Sequence, residues 1–274
     1  MERVKLGLIG GNIRASSSPR LHREAGRLAG LDVRYELLIP AELGTGFDAL
    51  FDACRDGGYR GLNITYPYKE TVLQRVTPAT PRIAQLGAVN TVLFGADGPV
   101  GHNTDYSGFV AAFRHRFGAT SPGVVAMAGA GGVGKACGFG LVELGVRALR
   151  IVDHDRQKAD GLAAALRTLQ PGLDVRVVAT AAEAADGADG LINCTPLGMV
   201  GTPGMPFPEA GIHAGQWVFD AVYTPLETGL LRAAERAGAA VMSGYELFLF
   251  QGMQAFELFT GHAVDENELR QRLR

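Results

Sequence analysis

Apolar positions fall into short runs separated by stretches in which they recur every three or four residues, and this alternation occurs twice along the chain. The first run, Val4–Ile9, ends at Gly10-Gly11 and predicts a buried strand. Ser18-Pro19 supplies a capping hydroxyl and a proline suited to a first helical turn, so a helix is predicted through about Ala29. Val33–Ile39 follows as a second strand, Phe47–Cys54 as a helix and Gly61–Thr65 as a third strand, after which Pro67 opens a short helix carrying Lys69. The pattern restarts at Val124: a strand to Ala128, a glycine turn, a helix to about Leu144 and a strand over Ala148–Asp153. A helix near Gln157–Leu169 comes next, then strands at Val175–Val178, Gly190–Asn193, Trp217–Val222 and Ala239–Met242, with a helix between the last two. Ala179–Ala188 is weakly helical. Such alternation predicts an α/β protein with parallel sheets. The reset between Asp105 and Gly123 marks the domain boundary, and there is no internal repeat.

Composition narrows the class. A chain of 274 residues, 47% hydrophobic and 20% charged, is long enough for two modest domains with their own cores. Its 26 basic and 28 acidic residues give a net charge of −2 with no basic block, which argues against a nucleic-acid partner. No apolar run approaches the roughly 20 residues of a membrane span, and the opening run is too short for a secretory leader, so a cytoplasmic location is expected. Cys54, Cys137 and Cys194 form no CxxC pair, and the six histidines show no ligand spacing; neither a disulfide framework nor a metal is expected.

Two motifs carry chemistry. Gly129, Gly131 and Gly134 satisfy GxGxxG between a predicted strand and helix, where glycines allow a tight turn and close approach to a pyrophosphate at the helix N-terminus. The same stretch resembles GxxxxGK, but Ala136 stands where a magnesium-binding hydroxyl is required, which excludes a nucleoside triphosphatase. Asp153 ends the next strand, 24 residues beyond Gly129. A carboxylate there accepts from ribose hydroxyls and repels a 2′-phosphate, so NAD is favoured over NADP, with Arg156 and Lys158 as the competing hint. The second motif lies in the N-terminal half. Ser16 and Ser18 bracket the first turn, Asn63 and Thr65 share one face of the third strand, Lys69 follows, and Asn90, Asn103, Thr104 and Asp105 close the half. Taken singly these are caps, turn formers and a solvated lysine; as a set they bring hydrogen-bonding groups and one cation–anion pair to a sheet edge.

These residues resemble the shikimate/quinate dehydrogenase family. GLIGGNIRASSSPRLH is similar to its opening signature, and GLNITYPYK, LGAVNT and GHNTDYSG follow as its next blocks, in order. GAGGVG resembles its cofactor loop and NCTPLGM (Asn193–Met199) the loop on the nicotinamide side, while FDAVYTPLETGLL and GYELFLFQGMQAFELFTG match its closing blocks. The resemblance implies two domains: an α/β substrate domain over 1–104, completed by C-terminal helices over 245–274, and a Rossmann-type doubly wound dinucleotide domain over 105–244. It implies Lys69 as general acid/base with Asp105 as partner, and Ser16, Ser18, Asn63, Thr65, Asn90, Tyr223 and Gln251 as holders of the ring acid. Gly129, Gly131, Gly132, Val133, Gly134, Asp153, Thr195, Pro196, Gly198, Met199, Val222 and Gly244 would line NAD.

Two departures refine the expectation. Asn12 and Ala15 replace the usual proline and histidine of the opening signature, and Asp153-His154-Asp155 stands where the clamp for a 2′-phosphate is found. That pattern is similar to the NAD-using branch, which oxidises quinate and shikimate, rather than to the NADP enzymes of aromatic amino acid biosynthesis by the shikimate pathway. The substrate is then shikimate, quinate or their 3-dehydro forms, with an aminoshikimate-like compound as an alternative. A non-catalytic NAD and metabolite sensor is the alternative from another class; Lys69 and Asp105 argue against it, since a sensor needs no proton shuttle. The family includes monomers and homodimers.

Overall fold

The first apolar run forms β1 (Arg3–Ile9), in which Val4, Leu6, Leu8 and Ile9 are buried. In the computed structural model, which describes residues 2–274, β1 pairs in parallel with β2 (Asp32–Leu38) and β3 (Gly61–Ile64). The rest of this sheet departs from the predicted parallel pattern. β5 (Thr91–Gly95) runs antiparallel to β3, and β6 (Gly98–His102) antiparallel to β5. Only Ala96 and Asp97 separate these two strands, with Gly98 at φ 109°, and so short a link permits a hairpin but no crossover. The short β4 (Thr77–Pro78) ends the order β2-β1-β3-β5-β6-β4. The register pairs Asn63 with Thr91 and Thr91 with His102, so the end of β3, the start of β5 and the end of β6 meet at one sheet edge.

Two further local differences follow from turn chemistry. The helix α1 (Ser18–Leu28) is entered through Ser17, which makes no side-chain cap; Ser18 is the first helical residue, and its N–H donates to the Ser16 hydroxyl. Lys69 does not ride on a helix opened by Pro67. Residues 66–70 are turns, and a 3₁₀ segment, Thr71–Arg75, begins directly after them. Proline favours the first position of a turn as well as of a helix.

The chain divides into two compact units, one comprising residues up to Thr104 with Leu249–Arg274, the other Asp105–Phe248. The first unit also holds α2 (Phe47–Asp56) and α3 (Pro81–Leu86). It ends with the C-terminal part of a long helix over Gly244–Thr260 and a last helix over Glu266–Leu273. Gly252 of the long helix lies directly on Leu21 of α1: a Cβ there would sit 2.6 Å from the leucine Cδ1.

The second unit begins within α4 (Thr104–Phe117) and contains six parallel strands: β7 (Val124–Ala128), β8 (Ala148–Val152), β9 (Asp174–Val177), β10 (Gly190–Asn193), β11 (Trp217–Asp220) and β12 (Ala240–Ser243). The order β12-β11-β10-β7-β8-β9 is doubly wound, with its reversal between β7 and β10. These two central strands are almost wholly buried, and α5 (Gly132–Glu143), α6 (Arg156–Leu169), α7 (Ala181–Ala185) and α8 (Gly229–Arg236) connect the strands. Leu191, Phe207, Val218 and Leu230 are among the residues of one core cluster. With the second unit so numbered, the long C-terminal helix is α9 and the last helix α10. Among the described residues no helix is long and apolar enough to cross a membrane.

Candidate active site

At the sheet edge of the first unit, strand pairing converts scattered sequence positions into neighbours. The Thr65 N–H donates to the Ile9 carbonyl at 2.9 Å, which ties the end of β3 to the end of β1. The Lys69 carbonyl accepts from the Val89 N–H at 2.8 Å, so the lysine turn is fastened beside Asn90. Asn90 is buried. Its Oδ1 accepts from the Thr104 N–H at 2.7 Å, and its Nδ2 donates to Thr104 Oγ1 at 3.0 Å. Thr104 Oγ1 in turn donates to Gln251 Oε1 at 3.5 Å, which brings the predicted C-terminal ligand to this edge. Ser16 and Ser18 are joined at 3.1 Å between hydroxyls.

Asn63 has surroundings that periodicity did not reveal. It is 7% exposed; its Oδ1 accepts from the Tyr35 hydroxyl at 2.8 Å, and its Nδ2 donates to Thr91 Oγ1 at 3.1 Å and the Asn90 carbonyl at 3.4 Å. Three hydrogen bonds thus fix both ends of the Asn63 amide. Asn103 is buried and donates to the Ala88 carbonyl at 2.9 Å. Lys69 is half-buried. Asp105 is the first residue of the second unit; it is buried and follows Thr104 in the first turn of α4, where a carboxylate suits the helix dipole.

The second unit presents a dinucleotide loop whose glycines each do something different. Gly129 has φ +98°, and a Cβ there would sit 2.8 Å from the Cys194 backbone. A Cβ on Gly134 would lie 2.2 Å from the Gly129 carbonyl, so that glycine lets the helix close on the turn. Gly131 has nothing within 4 Å of its Cβ position; it precedes α5, whose first-turn N–H groups receive no side-chain cap. Gly132 and Val133 form that first turn. This is the open cradle that a pyrophosphate needs, and the residues fit NAD. Asp153 completes it. The side chain is 7% exposed, with Oδ2 accepting from the Ala130 N–H at 2.7 Å and Oδ1 from the Asp155 N–H at 2.8 Å. His154 Nδ1 lies 3.1 Å from the same Oδ1; a carboxylate has about four acceptor positions, so one on Oδ2 remains for a ribose hydroxyl.

The loop after β10 is held by Asn193 and Asp220, which the sequence placed in motif blocks without a role of their own. Asn193 Nδ2 donates to Asp220 Oδ1 at 2.8 Å and to the Leu197 carbonyl at 3.0 Å, while its Oδ1 accepts from the Thr195 N–H and hydroxyl. Burial raises the pKa of Asp220, opposed by hydrogen bonds from Thr228, the Val222 N–H and Asn193. Pro196 and Met199 are exposed along this loop, and Gly198 turns it at φ +92°. Tyr223 stacks on Phe248 with ring centroids 5.2 Å apart, and its burial raises the phenol pKa. A Cβ on Gly244 would lie 2.4 Å from the Ala221 carbonyl. Thr91 was detectable only as the neighbour of Asn90 in the GAVNT block; Tyr35 gave no signal beyond an inward strand position.

A doubly wound sheet with a glycine loop and a ribose carboxylate at its switch point, in one chain with an α/β unit that gathers serines, asparagines, glutamine and a lysine at a sheet edge, defines a two-domain dinucleotide-dependent oxidoreductase. The model of the shikimate dehydrogenase substrate binding domain matches residues 8–92. The chain belongs to the shikimate/quinate dehydrogenase family. It is 39% identical over 276 residues to the quinate/shikimate dehydrogenase (NAD(+)) of Corynebacterium efficiens, covering 97% of this chain and 96% of that one. To the shikimate dehydrogenase (NADP(+)) of Streptomyces avermitilis it is 42% identical, covering 95% and 91%. The fold matches that of quinate dehydrogenase from Corynebacterium glutamicum in complex with NAD at a TM-score of 0.92, with 36% identity and 99% of both chains covered.

Proposed function

We propose that this protein is an NAD-dependent dehydrogenase of shikimate, quinate or both, interconverting a ring secondary alcohol and the 3-dehydro ketone. The cofactor choice rests on one observation: the Asp153 carboxylate is fixed at the glycine loop, where its charge repels a 2′-phosphate and its remaining acceptor position on Oδ2 suits a ribose hydroxyl. Relatives named for both NAD(+) and NADP(+) make this residue the discriminator.

Bound NAD would supply the hydride acceptor. The residues of the chain do the rest. Lys69 takes the hydroxyl proton in oxidation and returns it in reduction, with Asp105 as its partner. Ser16, Ser18, Asn63, Thr65, Asn90, Tyr223 and Gln251 hold the ring hydroxyls and carboxylate. The N–H groups of Gly132 and Val133 would meet the pyrophosphate, while Thr195–Met199, Val222 and Gly244 would form the nicotinamide side. Fixing each group before reaction lowers the entropic cost of the transfer. In the cell we place the protein in the cytoplasm; sedimentation distinguishes a monomer from a homodimer.

The test is a set of initial rates with shikimate and quinate, each crossed with NAD and NADP. We expect NAD-dependent oxidation of at least one ring acid, lowered by ~10²–10⁴-fold in Lys69→Ala. In Asp153→Ser the NADP-to-NAD preference should rise by roughly tenfold or more, a change of ~1.4 kcal/mol. A folded wild-type protein inactive with all four combinations would overturn the assignment.

A further inference from the structure

Tyr35 and His22 take no part in the proton or hydride chemistry, yet both lie fully buried beneath the serine–asparagine cluster. Each is 1% exposed, and their rings stack with centroids 4.6 Å apart and planes 12° from parallel. The His22 ring is otherwise packed against Phe256 and Phe259, and its Nδ1 has no hydrogen-bond partner. An orphaned buried nitrogen and a buried phenol are costly in such apolar surroundings. A phenylalanine at position 35 would fill the same space and stack on the same ring. The hydroxyl must therefore be explained by what it holds.

It holds Asn63. The Tyr35 hydroxyl donates to Asn63 Oδ1 at 2.8 Å. The Asn90 carbonyl can only accept, so the Asn63 amide nitrogen must face it, and the amide oxygen must face Tyr35. The result is an unbroken hydrogen-bonded chain. It runs from Tyr35 to Asn63, Thr91, Asn90, Thr104 and finally Gln251. Tyr35 is the buried end from which the β3–β5 asparagines are kept in one fixed spacing.

We infer that Tyr35 is a positioning residue for ring-acid recognition, acting through Asn63 without touching the substrate. The inference rests on the function proposed above. Loss of the hydroxyl frees one end of Asn63 while leaving Lys69 and the cofactor loop untouched, so binding of the ring acid suffers and the chemical step does not.

Tyr35→Phe, Asn63→Ala and the double variant test this by steady-state kinetics with the better ring acid and NAD. Tyr35→Phe should raise KM for the ring acid about tenfold, with kcat within about threefold and KM for NAD unchanged. In the Asn63→Ala background the same substitution should add less than about threefold, because its route to the substrate has been removed. Three results would overturn the inference alone, given an active wild type: an unchanged KM in folded Tyr35→Phe, full additivity with Asn63→Ala, or a Tyr35→Phe protein that does not fold. A wild type that neither turns over nor is thermally stabilised by either ring acid would overturn the functional reading, and this inference with it.

Discussion

Burial pulls the pKa of His22 down to about 3, with the neighbouring Asn63 side chain opposing the shift. The folded protein therefore holds this imidazole neutral where the unfolded chain, with a pKa near 6.5, would protonate it. The stability that follows from this difference is complete above about pH 6.5 and declines as the pH falls toward 3, by ~1.4 kcal/mol per pH unit. His22→Gln removes the titration. Urea unfolding at pH 7.5 and pH 5 should show the wild type losing ~2 kcal/mol more than the variant over that interval. Parallel losses would mean that the ring is not held neutral. At the same scale, Asp220 shows how a buried carboxylate is retained: Asn193, Thr228 and the Val222 N–H all donate to it, and through Asn193 it fixes the Thr195–Leu197 turn.

Between elements, glycines mark where the chain cannot thicken, and two of them separate binding from folding. Gly131→Ala enters open space, so its melting temperature should stay within about 2 °C, whereas NAD affinity measured by calorimetry should fall by roughly tenfold or more. Gly134→Ala would press a methyl group onto the Gly129 carbonyl and should cost about 1–3 kcal/mol of stability. Equal behaviour of the two variants would refute the distinction. The second sheet and both its loops were legible in the sequence because glycine spacing, apolar runs and Asp153 are local signals. The β5–β6 hairpin was not. Thr91–Phe94 reads as an isolated run with no partner of its own, and Gly98-Pro99 disguises the returning strand. Tyr35 was invisible for a related reason: its partner Asn63 lies 28 positions away, and only the β2-β1-β3 order brings them together. Lys69, assigned to a helix by the sequence, lies in a turn, since Pro67 signals both.

For the molecule as a whole, the second unit is one continuous stretch, while the first is assembled from both ends of the chain. The stretch Asp105–Phe248 contains all twelve expected NAD-lining residues, so it should fold alone and bind NAD within about tenfold of the full chain; an unfolded fragment by circular dichroism would contradict this. Ending the chain at Phe248 should instead leave the first unit unfolded, because it removes Phe256 and Phe259 from His22 and Gly61, and Gly252 from Leu21. Gly252→Ala is the mild version of the same insult: the methyl must displace Leu21, costing about 1–2 kcal/mol and shifting the adjacent Gln251. This split has a consequence for biogenesis. Emerging from the ribosome, residues up to Thr104 can pair their strands but must wait for the final 26 residues, Leu249–Arg274, before α1 is covered. The nucleotide-binding stretch can meanwhile reach its native state. At ~5–20 residues per second, the 144 residues of Asp105–Phe248 impose a delay of roughly 7–30 s. Over that interval the apolar surface of the earliest segment is the part of the nascent chain most in need of a chaperone.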